Sequence, residues 1–439
     1  MRTLVFVALA ASGLVAQQRP LNDISPGNAS YQDAKISPDG STVAYRTSGG
    51  ILVCDRLGRF ETTLVGPSAL GPFLWSPDSQ TIYAVNGSDI VAAPRNGSSV
   101  TVIARNVPGQ SVTLWDVDSS GSNLYGTRYE PANTTTHIFE LATSGSSALT
   151  DVFSNQAAIA DVCVDPTDSY LGFTQTGFAP FSPITIWRAD IDGQNPLDML
   201  GSQVNGTVEG VDWIDSGDTM VLTAPDGGGR PQIQQLSRVA QQFIPLTSFS
   251  THKGSRLSAD GRFVLFEAID GQGNGPGLMS VDGGGLVYLF GRTRFTWSGP
   301  PSMDANGDSV VFSAQRQGVD PQPRLFRLDL DDEMMVAPRA AIGSPFSFSL
   351  PVPPAEFGVI FLGQRSPPFL LNGINFEFDL GPGFAILLLA PSNNGSVGIT
   401  LPLPADATLQ GLRIGYQGLR ADPVAQTGEF TRSGVLTIF

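Results

Sequence analysis

The stretch that decides the fold is "ISPDGSTVAY", residues 36–45, in which a strand end meets a Pro-Asp-Gly turn and a second strand follows. The same phrase returns as "WSPDSQTIYA" at residues 75–84 and as "LSADGRFVLF" at residues 257–266. Pro presets φ, Asp bonds its own backbone and Gly accepts a positive φ, so each phrase predicts a hairpin between two strands. A chain that repeats one hairpin predicts a repeat architecture.

The hairpin recurs seven times, and each copy has an apolar anchor, the first apolar residue after the turn. Successive anchors lie 39 to 49 residues apart, and another apolar residue stands seven positions before each one. Two more strand phrases complete most copies, so one unit is a meander of four antiparallel strands. Such a sheet cannot bury both faces alone, whereas seven sheets stacked around an axis can. We therefore predict a seven-bladed β-propeller over residues 31–339. The anchors are Val43, Ile82, Leu124, Leu171, Met220, Val264 and Val310.

The phrases "ISPDGSTVAY" and "ILVCDRLG", the latter at residues 51–58, resemble the repeat of TolB-type propellers, a branch of the WD-like family. The resemblance implies a TolB-like propeller. TolB itself carries an α/β domain ahead of its propeller, and here only residues 17–30 precede blade 1, so the role of TolB is not carried over. Residues 17–30 are interpreted as a linker or as an outer strand of blade 7, although their Pro and Gly content weakens the strand alternative.

The N-terminus has the layout of a secretory signal peptide over residues 1–16. Arg2 is followed by an apolar run at residues 4–11 and by small residues near Ala16. The run is too short to remain as a membrane span, so we expect no membrane insertion after cleavage. The predicted location is secreted, periplasmic or at the cell surface.

The repeat stops after Arg339. Residues 340–439 show alternating phrases such as "INFEFDL" and a turn every eight to twelve residues, which predicts a small β-sandwich. The fold class is therefore all-β, a propeller followed by a sandwich. The last phrases resemble a C-terminal module of exported bacterial proteins, and the resemblance implies attachment or sorting at the cell surface.

Charge restricts the partners. The chain has 40 acidic and 25 basic residues and a formal net charge of −15. Nucleic acid and anionic membrane surfaces attract positive proteins, so we expect neither as a partner. We expect a monomer with a protein or glycan partner in the cell envelope.

Catalytic motifs are scarce. The two histidines, His137 and His252, argue against a multi-His metal site, and no G-x-S-x-G elbow occurs. Peptidases related to prolyl oligopeptidase pair such a propeller with an α/β-hydrolase domain, for which the sequence offers no counterpart. His137 is interpreted as a solvated strand-edge residue, and acidic turns such as "DIDG" at residues 190–193 as turn chemistry. We therefore predict no metal, no cofactor and no enzymatic activity.

An enzyme remains the alternative. Paired carboxylates in the central channel would suffice for hydrolase or lyase chemistry on glycans. The criterion is two carboxylates within reach at the channel mouth with pKa values pushed apart.

The connections between the second and third strands are longer in blades 3 to 7 than in blades 1 and 2. The same connection leaves every blade at the same end of a propeller, and loops on a rigid scaffold commonly bind ligands. We predict that this loop-rich face binds a protein or glycan, with His252 as a rim residue. The predicted ligand-binding residues are Phe178, Phe181, Arg230, His252 and Arg316.

Overall fold

The structure is a computed structural model, and the part that can be described leaves out both ends of the chain and many short segments. Among the described residues, no helix has the length and hydropathy needed to cross a membrane. The predicted signal peptide lies outside the described residues except for Val15 and Ala16. Described are residues 15–16, 21–105, 109–145, 148–179, 182–247, 251–259, 261–269, 274–281, 287–288, 294–305, 307–329, 335–336, 339–340, 345–352, 354–363, 365–371, 374–378, 385–392, 396–402, 406, 413–422, 427–430 and 434–438.

The chain divides into two compact units. One comprises Pro20–Gly277 and Phe290–Asp329, and the other comprises Met1–Arg19, Leu278–Leu289 and Leu330–Phe439. Seven of the sheets follow one another along the sequence as successive blades, and each is antiparallel. The predicted number of blades is confirmed.

Within a blade, successive strands run from the inner to the outer edge of the sheet. Most blades have four strands, whereas in blade 7 the inner position is shared by two short strands and a distant segment is added at the outer edge. Blade 1 contains β3 (Gln32–Ile36), β4 (Thr42–Thr47), β5 (Gly50–Asp55) and β6 (Thr62–Val65); blade 2 β7 (Ala69–Trp75), β8 (Thr81–Asn86), β9 (Asp89–Pro94) and β10 (Thr101–Arg105); blade 3 β11 (Ser111–Val117), β12 (Asn123–Glu130), β13 (Thr135–Ala142) and β14 (Thr150–Asn155); blade 4 β15 (Ala158–Val164), β16 (Tyr170–Thr176), β17 (Ile184–Asp190) and β18 (Leu197–Asp198). Blade 5 contains β19 (Glu209–Trp213), β20 (Thr219–Pro225), β21 (Pro231–Ser237) and β22 (Gln242–Pro245); blade 6 β23 (Thr251–Leu257), β24 (Phe263–Ile269), β25 (Asn274–Ser280) and β26 (Val287–Tyr288); blade 7 β27 (Phe295–Trp297), β28 (Ser302–Met303), β29 (Ser309–Arg316), β30 (Arg324–Asp329) and the N-terminal β2 (Asn22–Asp23).

Both faces of each central strand are buried, which is why the sequence between turns is almost continuously apolar. In β4, Val43 and Tyr45 pack in one cluster with Leu325 of blade 7. Ala44, between them, packs in another cluster with Trp75 of blade 2. Side chains alternate across a strand, so a single strand supplies core to two neighbouring interfaces.

The repeated first hairpin is held by its own polar side chains. In blade 1, Asp39 Oδ1 accepts hydrogen bonds from the Ser37 hydroxyl at 2.6 Å and the Ser41 N–H at 3.0 Å. Gly40 takes a φ of 69°, and its N–H donates to the Ser37 carbonyl at 2.9 Å. The turn chemistry read from "SPDG" is therefore the chemistry that the structure uses.

The N-terminal segment closes the ring. In β2, Asn22 pairs with Arg327 and Asp23 with Phe326 of β30, so the last blade takes an outer strand from the start of the propeller sequence. The Ile24 N–H continues the ladder by donating to the Leu325 carbonyl at 3.0 Å. Pro26 lies outside the two-residue strand, which explains why Pro content was a poor guide here.

Apart from residues 278–289, whose strands pair in the sheet of blade 6, the described strands of the second unit form the predicted sandwich. One sheet has the path β1 (Val15–Ala16), β40 (Thr427–Phe430), β39 (Arg413–Asp422), β34 (Phe357–Gly363) and β37 (Ala385–Pro391), with β41 (Gly434–Ile438) beside β39 and β32 (Arg339–Ala340) beside β41. The other has β31 (Met335–Val336), β33 (Pro345–Pro351) and β38 (Ser396–Pro402), and a separate hairpin joins β35 (Arg365–Leu371) to β36 (Ile374–Phe378). The rings of Phe348 and Tyr416 meet across the two sheets at 5.4 Å. The predicted fold class is confirmed.

Candidate active site in the central channel

One position of the repeat faces the axis of the propeller. It is the residue eight positions before each anchor, next to the apolar residue seven positions before it. The charged residues there interact electrostatically across blades 1, 3, 5 and 6. Only the axis brings the inner strands of those blades together, so this position lines a central channel. Its occupants are Lys35, Leu74, Asp116, Cys163, Asp212, Arg256 and Ser302.

A β-bulge recurs in the inner strands, and it turns the side chain of the bulged residue, such as Asp161, toward the channel. The pairing register shifts between Ala160 and Cys163 and between Glu209 and Asp212, with equivalent shifts in blades 1 and 6. The bulged residue has a positive φ, as at Asp161 with 48°. Bulges re-aim side chains and bend the strand locally. The charges of Asp161 and Arg256 both act on Glu209, which places these groups in one cluster.

We call Lys35, Asp116, Asp212 and Arg256 the inner ring. Three of these side chains bind the backbone of a following blade. Asp116 Oδ2 accepts the Val164 N–H at 2.8 Å, Asp212 Oδ2 accepts the Leu257 N–H at 2.9 Å, and Lys35 Nζ donates to the Phe73 carbonyl at 2.6 Å. The inner ring therefore joins adjacent blades.

Three side chains of the inner ring have shifted pKa values. Burial raises the pKa of Asp116 to about 7, and the charge of Asp212 adds to this effect. Burial likewise raises the pKa of Asp212 to about 6, opposed by the positive charge of Arg256. Burial and the charge of Arg256 lower the pKa of Lys35 to about 8. Near neutral pH the channel therefore contains groups that are only partly ionised.

We call Glu209, Lys253 and Glu267 the mouth group. Glu209 opens β19, Lys253 lies near the start of β23, and Glu267 pairs with Lys253 from β24. Inner strands start at the end of the disc from which the long loops between second and third strands emerge. The two glutamates are half-buried and Lys253 is exposed, so the mouth group is open to solvent at the loop-rich face.

The mouth group differs from the inner ring in the hydrogen bonding of its carboxylates. Among the described residues, neither glutamate carboxylate has a hydrogen-bond partner. Burial raises the pKa of Glu209, and the charge of Asp161 raises it further. Burial also raises the pKa of Glu267; Lys253 opposes this and Glu209 reinforces it. Two interacting, unbonded carboxylates beside an ammonium can donate and accept protons.

The predicted ligand-binding residues lie on four different blades. Phe178, in the loop of blade 4, is 47% exposed, and its ring packs on Tyr129 of blade 3 with centroids 5.5 Å apart. Arg230 is exposed in the loop of blade 5, where its N–H donates to Asp226 Oδ1 at 2.9 Å. Phe181 lies outside the described residues.

The other two predicted residues, His252 and Arg316, are bound to side chains of the same chain. His252 is fully buried on β23, with Nδ1 at 3.1 Å from Gln232 Oε1 and its ring against Phe266, and burial lowers its pKa to about 4. It is a core histidine and not the rim residue that the sequence suggested. Arg316 donates two hydrogen bonds of 2.8 Å to Asp320.

The channel residues were missed by the sequence reasoning, although a signal existed. A charged residue stands directly before the apolar residue that precedes the anchor by seven in blades 1, 3, 5 and 6. A charge repeated next to a core position of an inner strand indicates a polar channel, since both faces of a blade are otherwise buried.

No family model matches this chain, and no curated protein matches it in sequence. Solved structures do match in fold. An oligogalacturonate lyase in complex with manganese has a TM-score of 0.59 at 14% identity, covering 72% of this chain and 94% of that chain. A puromycin-hydrolyzing peptidase of Mycobacterium tuberculosis has a TM-score of 0.53 at 14% identity, covering 77% of this chain and 61% of that one. TolB from Acinetobacter baumannii has a TM-score of 0.43 at 15% identity, covering 68% and 79%.

At these identities the likeness shows the fold alone. The β-propeller fold expected from the repeat is confirmed. The prediction of no enzymatic activity is contradicted, because the lyase and the peptidase, both with TM-scores above 0.5, are named as enzymes. That prediction was based on the absence of a G-x-S-x-G motif and on the small number of histidines. Catalysis by carboxylates needs neither.

A metal was also considered, because one matching structure holds manganese. In the described part of this chain, no group of three or more His, Cys, Asp or Glu side chains could hold a metal ion. The acidic turns instead bind their own backbone, as Asp192 Oδ1 does by accepting the Gln194 N–H at 3.0 Å. Within the described ranges the side chains therefore do not fit a metal site.

Proposed function

We propose that this chain is an exported enzyme of the hydrolase or lyase class that acts on a glycan at the mouth of its channel. The observation that carries the proposal is the mouth group: two half-buried glutamates with raised pKa values and no hydrogen-bond partner among the described residues, beside the exposed Lys253.

The two glutamates take different roles because they interact. Burial raises the pKa of both, and the charge of an ionised Glu209 raises the pKa of Glu267 further, which favours a state in which only one of them is ionised. The protonated carboxyl donates to the leaving sugar oxygen, and the ionised one accepts a proton from water or from a carbon of the sugar ring. The first alternative is hydrolysis and the second is elimination. Lys253 offsets the remaining negative charge.

The loop-rich face provides the binding part of this function. The exposed ring of Phe178, supported by Tyr129, offers an apolar surface for the face of a sugar ring at the same end of the disc as the mouth group. Binding of a protein partner to the same loops is the second candidate, and the exposed Phe178 supports it equally.

The location and assembly belong to the same proposal. The signal-like residues 1–16 support export to the cell envelope or beyond, where a glycan partner is available. We expect the exported chain to be a monomer whose N-terminus lies near residue 17, which mass spectrometry of the exported protein would check.

The test is a substrate screen with matched variants. The mature chain is incubated with acidic and neutral polysaccharides, and reducing ends and unsaturated sugar products are measured separately. Unsaturated products indicate a lyase, and reducing ends alone indicate a hydrolase. Glu209→Gln and Glu267→Gln should each lower the rate about 100-fold or more. Asp192→Asn, in an exposed turn of blade 4, should not change it. Equal rates in wild type and both glutamine variants, or no turnover of any polysaccharide, would overturn the proposal.

A further inference from the structure

Blade 3 extends beyond its neighbour blade 2 at the loop-rich end. Strands β12 and β13 have eight residues each, whereas β8 and β9 of blade 2 have six. With a rise of about 3.3 Å per residue, the overhang is about 7 Å. His137 shares its face of β13 with Phe139 and Leu141, which pack toward blade 2. The overhang comprises residues 129–130 and 135–136, and His137 lies at its base on the face toward blade 2, outside the channel.

Three side chains form a row next to this overhang. Arg128, His137 and Ser154 are direct cross-strand neighbours in β12, β13 and β14. His137 Nδ1 lies 2.7 Å from the Ser154 hydroxyl, and His137 Nε2 lies 3.4 Å from Glu130 Oε2. The His137 side chain is only 11% exposed, whereas Ser154 is exposed. His137 is therefore not the solvated residue expected from the sequence.

A carboxylate lies near each nitrogen of the imidazole. Glu130 Oε2 lies 3.4 Å from the buried Nε2, which makes no hydrogen bond among the described residues. In the tautomer with its hydrogen on Nε2, Nδ1 has a lone pair for the Ser154 hydroxyl, 2.7 Å away. Asp151 Oδ2 also approaches Nδ1, at 3.2 Å, but Asp151 is occupied by two hydrogen bonds from Arg128.

Glu130 is itself held in place. Asn133, in the connection between β12 and β13, donates from Nδ2 to Glu130 Oε2 at 3.0 Å. A hydroxyl, an imidazole and an oriented carboxylate in sequence are the parts of a nucleophilic serine site.

The geometry points to a second site, separate from the channel, in which Ser154 is the nucleophile, His137 the base and Glu130 a positioning residue. Its substrate class is a small acyl ester, such as an acetyl ester of an exposed alcohol. The Ser154 oxygen bonds to the acyl carbon while its proton passes to His137 Nδ1. That proton then leaves with the alcohol as the ester C–O bond breaks. Water cleaves the acyl-serine in the same way, releasing the acid and restoring Ser154.

The test uses a fluorophosphonate probe and p-nitrophenyl acetate on the mature chain. Peptide mapping should place the label on Ser154. Ser154→Ala should abolish labelling and ester hydrolysis, and His137→Gln should slow both about 100-fold or more. Glu130→Gln should slow hydrolysis and change its pH profile, which a purely structural role would not do. Ser98→Ala, at an exposed serine of blade 2, is the matched control and should label like wild type.

Two results would overturn the inference: a label on a residue other than Ser154, or an unchanged labelling rate in His137→Gln with an unchanged melting temperature. Glu209→Gln should label at the wild-type rate, because the mouth group plays no part in this site. The outcome is thereby independent of the channel experiments.

Discussion

The inner ring and the mouth group use the same side-chain chemistry at two depths of one channel, and they differ in what binds them. Asp116 and Asp212 accept backbone N–H groups from following blades at 2.8 and 2.9 Å. Glu209 and Glu267 have no hydrogen-bond partner among the described residues. All four carboxyls have raised pKa values because they are buried.

A raised pKa occurs in both groups, so it does not by itself identify a catalytic residue. In the inner ring it accompanies bonds that hold blades together, whereas in the mouth group it accompanies carboxylates that are free to meet a substrate. Stability measurements should therefore respond to the inner ring, and activity measurements to the mouth group.

The largest expected effect is on the pH dependence of stability. Asp116 and Asp212 titrate at about 7 and about 6 in the native chain and near 4 when unfolded. The native state thus binds more protons at these two sites, so their contribution to the free energy of unfolding is highest below about pH 4 and falls as pH rises to about 7. We expect a fall on the order of 3 kcal/mol, after allowance for the partial exposure of both groups. Urea denaturation of wild type and of the double variant Asp116→Asn and Asp212→Asn at several pH values measures it; the same profile in both would contradict the assigned burial.

The next effect is that of Asp116→Ala at pH 5, where the native carboxyl is protonated and its charge plays no part. The Val117 and Val164 N–H groups both lose their acceptor. We expect a loss of about 2 kcal/mol in the free energy of unfolding. Glu209→Ala, measured alongside, should stay within about 0.5 kcal/mol of wild type. Similar losses in both variants would remove the distinction between the two groups.

Variants of Asp212 distinguish the effect of its hydrogen bond to Leu257 from the effect of its negative charge. Asp212→Ala removes the acceptor of the Leu257 N–H and should cost about 1 kcal/mol at pH 5. Asp212→Asn keeps an acceptor oxygen and should cost less, while flattening the pH profile between about pH 4 and 6. Thermal unfolding of the pair at pH 5 is the measurement. If both variants lose the same stability, the bond to blade 6 is unimportant.

The smallest effect is that of the double variant Glu209→Gln and Glu267→Gln on stability. Burial raises both pKa values, so each ionised glutamate slightly destabilises the native state at neutral pH. The variant should be more stable than wild type by at most about 0.5 kcal/mol at pH 7, and equal to it at pH 4. A clear loss of stability would show that these glutamates are structural.

Sequence reasoning reached the blades because their signals are local. The Pro-Asp-Gly turn works through contacts within five residues, as between Ser37, Asp39 and Ser41, and the apolar anchors alternate with period two. The alternation at residues 340–439 likewise led to the sandwich. Each of these features depends on neighbours in sequence, so one chain is enough to see it.

The channel depends on contacts between blades, which no local pattern contains. Asp116 and Val164 are brought together only by closure of the ring, and the mouth group joins residues of two blades. Attention to the loops also misplaced His252, which is the second residue of β23 and is buried inside the fold. Most of the fold was thus predictable from the sequence. The only sequence signal for the candidate site is a charged residue that stands next to a core position of the inner strand in four blades.

The pairing of β2 with β30 has a consequence for how the protein is made. Asn22 leaves the ribosome, and any export channel, long before Arg327 does, so the ring can be completed only after almost the whole propeller has been delivered. Until then Tyr31 and Tyr45 have no cover from Leu325 of the last blade. A chain that is interrupted in its final blade therefore displays an uncovered aromatic surface, the kind of mark by which quality-control proteases recognise unfinished products.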